Sequence, residues 1–274
     1  MRRKNRRGAI LNNHTYHGVV NTFKQEGDLL LDMIIGSSIS AFATALGALP
    51  ILLFNRLSHK FRDMLLAFTA GIMVTACSFS LIPEALAKSN VWVVLTGLLI
   101  GTFVLDRMEK YIPHSHPERE NLSYMPNLDK KTFLIVSALT LHNIPEGLSV
   151  GVSYAGDSGE LGGIIALAIG LQNAPEGLLV ALYLVNQNMS KVKAFLFAAL
   201  TGSIEIAAAL LGYSLTNYID DLIPYGLSFA AGAMLFIVYK ELIPESHGDG
   251  NERYSTYAFI GGLGMMLAII SIFT

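Results

Sequence analysis

Eight apolar stretches follow one another along this chain, each long enough to cross a hydrocarbon layer as a helix. They lie near residues 32–54, 62–84, 91–108, 132–154, 160–186, 192–216, 222–243 and 254–273. In hydrocarbon the backbone polar groups must be satisfied within the segment, so stretches of this kind predict helices. Charged residues make up 15% of the 274, where a soluble domain carries about 25%. The expected class is an all-α integral membrane protein, with the lipid bilayer as its partner. Residues 1–31 form a polar tail and residues 32–274 one eight-helix domain. The single cysteine, Cys77, excludes an intramolecular disulfide framework and a thiolate metal cluster, and is expected to be a small apolar filler. No basic patch interleaved with aromatics is present, so no nucleic-acid partner is expected.

The connections alternate in charge. Arg56, Lys60 and Arg62 lie between the first two stretches, Lys110, Arg119, Lys130 and Lys131 between the third and fourth, and Lys191 and Lys193 between the fifth and sixth. The other set offers Lys88, then Asp157 and Glu160, then Asp220 and Asp221. The positive-inside rule places the basic set in the cytoplasm and both termini outside. Arg2, Arg3, Lys4, Arg6 and Arg7 oppose this, but they lie too far from the first stretch to govern it. No apolar core follows them closely enough for a signal peptide. His14 and His17 in the same tail have no carboxylate nearby and are assigned no role.

Shifting the chain by 161 residues aligns its two ends without a gap. Phe68-Thr69-Ala70-Gly71-Ile72-Met73 falls on Phe229-Ala230-Ala231-Gly232-Ala233-Met234, Leu81-Ile82-Pro83-Glu84 on Leu242-Ile243-Pro244-Glu245, and Gly101 on Gly262. Stretches one to three thus match six to eight. Five crossings separate each matched pair, so the repeat is inverted in the membrane. Stretches four and five stand between the two copies, where a pseudo-two-fold axis would pass.

Those two middle stretches carry one phrase twice. It reads His142-Asn143-Ile144-Pro145-Glu146-Gly147-Leu148 and then Gln172-Asn173-Ala174-Pro175-Glu176-Gly177-Leu178. In helices, 142 and 146 share a face one turn apart, as do 172 and 176, with Asn143 and Asn173 on the flank. Facing each other, the helices would gather one imidazole, three amides and two carboxylates. Each proline frees a carbonyl, at Leu141 and Leu171, and predicts a broken helix lining a cavity. A single H-x-x-x-E is weak and a lone membrane proline is often a kink. A mid-membrane carboxylate costs about 2.5–3.5 kcal/mol on the insertion scale. Accepting that cost twice, beside nitrogen and amide donors, points to a bound cation.

The same shift places Thr44 on Glu205, the only charge in the sixth stretch. Glu205 is either a third acidic ligand or a carboxylate hydrogen-bonded to a neighbouring helix. Glu241, Glu245 and His247 share the inner end of the seventh stretch, as a receiver for a departing ion or as an ordinary helix end. Glu84 and Met73 are candidates for the outer approach. His114 and His116, in the one long loop, form either a metal-handling segment or a plain solvated one.

Taken together, these residues resemble the ZIP (ZRT/IRT-like protein) family, and Gln172 and Asn173 resemble its GufA-like branch. The resemblance covers all eight stretches and includes Ala43-Thr44 with Leu46-Gly47 and both L-I-P-E ends. It implies a 3+2+3 inverted-repeat arrangement of eight transmembrane helices, a homodimer, and transport of divalent metals, mainly zinc, into the cytoplasm. It implies no catalysis, and a setting in the plasma or inner membrane. By the same resemblance His142, Glu146, Gln172 and Glu176 form a first metal site. Asn143, Glu146, Asn173, Glu176 and Glu205 form an adjoining second, with the glutamates bridging. Many members have histidine where Gln172 stands, and some have aspartate in place of Asn173. The amides make the cluster poorer in nitrogen and charge, which argues against strict zinc selectivity; imidazole with carboxylates suits Zn²⁺ but also admits Cd²⁺, Mn²⁺ or Fe²⁺.

Two readings from other classes remain beside transport. An intramembrane zinc hydrolase would fix the metal to activate water with a glutamate as base. Such sites use more histidine, and one histidine is available here within the membrane stretches. A channel-like scaffold without turnover is the third.

Overall fold

All eight apolar stretches fold as helices, in a computed structural model that describes residues 28–54, 57–111, 128–155, 160–247 and 250–273. Seven of them are long and apolar enough to span a membrane: α1 Asp28–Leu52, α2 His59–Ala87, α3 Val91–Tyr111, α5 Glu160–Asn186, α6 Lys191–Asn217, α7 Ile223–Glu245 and α8 Glu252–Phe273. A further helix, α4 Leu128–Tyr154, carries the first copy of the repeated phrase. Among the described residues there is no strand. The His14, His17, His114, His116 and Asp157 expectations lie outside the described residues.

Local chemistry sets the ends. The Ser58 side chain accepts from the Phe61 N–H and starts α2. Asn90 Oδ1 accepts from the N–H groups of Trp92 and Val93 and starts α3. Pro50 tightens the last turn of α1 into a 3₁₀ turn. The first helix begins at Asp28, earlier than the stretch expected from residue 32, because Leu29, Leu30 and Leu31 extend the apolar run.

Two helices have an unexpected turn. Cys77–Leu81 in α2 and Val238–Leu242 in α7 are π turns, closed by Ile82 N–H to the Cys77 carbonyl and Ile243 N–H to the Val238 carbonyl. Each is followed by Ile-Pro-Glu. The proline ring cannot fit against the carbonyl four residues back, and widening the turn relieves the crowding. Cys77 is fully buried in the first of these turns, as expected of a small filler.

Packing places α2, α5 and α7 inside, with 67%, 67% and 61% of their most apolar segments buried, and leaves α3 and α8 outside at 22% and 11%. The outer helices are seated by glycines. A Cβ at Gly101 of α3 would collide with the Phe229 carbonyl of α7, and one at Gly232 with the Leu98 carbonyl. The same contacts recur at the offset of 161. Gly262 of α8 meets the Phe68 carbonyl of α2, and Gly71 meets the Phe259 carbonyl. The middle helices are seated likewise. Gly147 of α4 meets the Glu205 carbonyl of α6, and Gly177 of α5 meets the Thr44 carbonyl of α1. These close approaches bring the backbones of α1 and α6 against the repeated phrase.

Candidate metal centre

Pro145 and Pro175 lie inside α4 and α5, and both helices continue past them. The expected break is absent. Each proline removes one hydrogen bond, and the glycine two residues later lets a neighbouring backbone pack closely enough to hold the helix in line.

Glu146 is fully buried, and its Oε1 accepts from Gln172 Nε2 at 2.6 Å, linking α4 to α5. Asn173 Nδ2 donates to Glu205 Oε1 at 2.8 Å, linking α5 to α6. The Ser40 hydroxyl of α1 donates to the other Glu205 oxygen at 2.7 Å. Asn173 also donates to the Ser40 carbonyl at 3.2 Å. Glu205, fully buried, is therefore held from two helices. Glu176 is half-buried one turn beyond Gln172.

Two expected ligands also bond to partners outside the repeated phrase. Asn143 donates to the Thr201 carbonyl of α6 at 2.7 Å. His142 Nε2 lies 2.7 Å from Oε2 of Glu241 on α7, and its imidazole also faces the charge of Glu176 on α5. The hydrogen bonds fall into three sets, His142 with Glu241, Glu146 with Gln172, and Glu205 with Asn173 and Ser40, and Glu176 interacts electrostatically with His142, Glu146 and Glu205 across them. Among the described residues no three His, Cys, Asp or Glu groups stand together as a ready cluster.

What the arrangement can do follows from its unused acceptors. Glu146 Oε2, Gln172 Oε1 and Asn173 Oδ1 are buried without a hydrogen-bond partner. Buried oxygens left in this way are costly, and a carboxylate is the costliest. A hard or borderline cation accepts such oxygens, and an imidazole at its edge adds a nitrogen. Thr44 is buried opposite, with its own hydroxyl oxygen unpartnered. Of the approach candidates, Met73 is buried in the core and Glu84 pairs with Lys88 at 3.4 Å.

Ser40 and Glu241 are the two contacts that sequence reasoning passed over or misplaced. A serine in a span gives no hydropathy signal, although the offset of 161 sets Ser40 on Thr201. These two residues receive the matched asparagines Asn173 and Asn143 on their carbonyls. Glu241 was expected at a helix end, but the π turn carries it inward, where it is 1% exposed.

A bundle of membrane-length helices around buried polar oxygens defines an integral membrane protein. The sequence model of the ZIP zinc transporter family matches residues 114–270. The chain is 38% identical to the zinc transporter GufA of Myxococcus xanthus over 245 residues, 86% of this chain and 96% of that protein. It is 32% identical to the zinc transporter ZIPB of Bordetella bronchiseptica over 260 residues, 91% of this chain and 84% of that protein. A zinc transporter ZupT of Corynebacterium aurimucosum is 31% identical over 251 residues. The chain belongs to the ZIP zinc transporter family. This assignment makes it a transporter and gives the hydrolase alternative no support.

Proposed function

We propose that the chain carries Zn²⁺ into the cytoplasm by alternately exposing a binuclear centre near the middle of the membrane. The observation that carries this is the set of buried, unpartnered oxygens on Glu146, Gln172 and Asn173. A first ion would take His142, Glu146, Gln172 and Glu176. A second would take Asn143, Glu146, Asn173, Glu176 and Glu205, with the two shared glutamates between them. For His142 to serve through Nε2, its contact with Glu241 must open; Asn143 would ligate through Oδ1 and can keep its Nδ2 bond to the Thr201 carbonyl. Cd²⁺, Mn²⁺ and Fe²⁺ share enough ligand preference to enter the same donor set.

The glycine contacts matched at the offset of 161 support a 3+2+3 inverted repeat for the domain at 32–274, with α4 and α5 between the copies. The basic connections support cytoplasmic α1–α2, α3–α4 and α5–α6 loops, and so external termini. We further infer a plasma or inner membrane setting and a homodimer. The exposed apolar flanks of the outer helices are compatible with lipid or a second copy. The test is zinc uptake into proteoliposomes. Wild type should accumulate Zn²⁺, and Glu146→Ala and Glu176→Ala should each lose nearly all uptake. Near-normal uptake in Glu176→Ala would refute the ligand assignment, and hydrolytic activity without flux would sink transport.

A further inference from the structure

The ends of α3 and α7 carry charges that the metal centre does not account for. Glu109, in the last turn of α3, is 5% exposed, and its carboxylate pairs with Lys240 of the α7 π turn. The Lys240 ammonium also stands 4.8 Å over the Phe236 ring. The next residue is Glu241, which reaches His142 of α4. Glu241 also contacts the Glu109 carboxyl, so two adjacent side chains of one π turn together tie α7 to α3 and to α4. Gly101 and Gly232 lock α3 and α7 together, and Thr102 Oγ1 donates to the Gly232 carbonyl at 3.1 Å, so Glu109 is a fixed anchor. The aim of side chains within a π turn depends on where that turn is held, because its wider ring departs from the regular helical register.

The matching turn of α2 has none of these ties. At the offset of 161, Lys240 and Glu241 fall on Phe79 and Ser80, and Glu109 falls on Ile270. The partner of His142 in the repeated phrase is Gln172. The charged link is therefore built at one end of the centre alone.

We propose that Glu109 and Lys240 are positioning residues whose ion pair aims Glu241 at His142 and keeps the α4–α7 boundary closed at that end. It rests on the transport reading, in which this boundary must open for an ion to pass. In an inverted repeat the two end states are otherwise matched, and a tie present at one end biases the resting protein toward closure there.

The test uses a cysteine at Leu141, a buried position beside His142, in a Cys77→Ala background. The protein is held in lipid nanodiscs, with both faces open to a membrane-impermeant maleimide and no zinc added. Glu109→Gln and Lys240→Met should each label about tenfold faster than the parent, as the closed population falls. Lys240→Arg and the swap Glu109→Lys with Lys240→Glu should return to the slow rate. Unchanged labelling in the single variants overturns the proposal, as does a swap that labels as fast as they do, since that would show packing damage rather than loss of an ion pair. The measurement needs neither metal nor a known orientation. A wild type that moves no zinc would therefore fail the transport reading separately.

Discussion

At the scale of the residue, Glu205 marks a difference between the matched halves at the centre itself. Asn143 on the Thr201 carbonyl corresponds to Asn173 on the Ser40 carbonyl, yet Glu205 corresponds to Thr44. A second divalent ion close to the first meets strong repulsion in a low-dielectric site and needs the extra carboxylate. Glu205→Thr, which makes the paired positions identical, should therefore lose one bound ion and keep the other, with uptake reduced but present. Calorimetric stoichiometry of the purified variant beside wild type checks this. Two ions retained, or one ion in wild type, would return Glu205 to a structural role. Much of this geometry could be read in advance, because a phrase stated twice in apolar surroundings is costly and so conspicuous. The Glu146–Gln172 and Asn173–Glu205 links follow from it. The partners of His142 and Asn143 do not, since a helical face defines a direction over one turn but not which of several neighbours fills it.

At the scale of the element, apolar length revealed the helices, while their interior turns stayed hidden. The sequence displays Leu-Ile-Pro-Glu at both π turns, but proline alone does not say whether a helix kinks, breaks or widens. In α4 and α5 the helix neither breaks nor widens; in α2 and α7 the turn before the proline widens. The difference lies in the neighbours, and therefore in packing that no single segment encodes. The matched glycines offer a direct measurement. Gly101→Val and Gly262→Val each drive a side chain into the carbonyl of a facing helix. Each should cost about 1–3 kcal/mol, the usual range for overpacking. Gly261→Val, where a Cβ meets nothing within 4 Å, should be nearly neutral. Thermal unfolding of the three variants in one detergent would show it, and equal melting temperatures would mean that the contacts are not tight.

At the scale of the whole molecule, the offset of 161 ties contacts of α3 with α7 to those of α8 with α2. An inverted arrangement demands that these two pairs run through the membrane in opposite senses. The connections then fall on alternating sides, and two exposed positions separated by the single crossing of α6 report it. Ser190 precedes α6 and Asp221 follows it, and both are exposed. Lys191 and Lys193 stand beside the first, and Asp220 beside the second, so charge and crossing number make the same demand. In a Cys77→Ala background, Ser190→Cys should react with an impermeant thiol reagent only from the cytoplasm, and Asp221→Cys only from outside. Cells and inverted vesicles supply the two faces. Reaction of both from one face would remove the α6 crossing, and with it the odd number of crossings that inverts one half of the molecule relative to the other. Reaction from opposite but exchanged faces would keep the inversion and reverse the direction in which zinc enters.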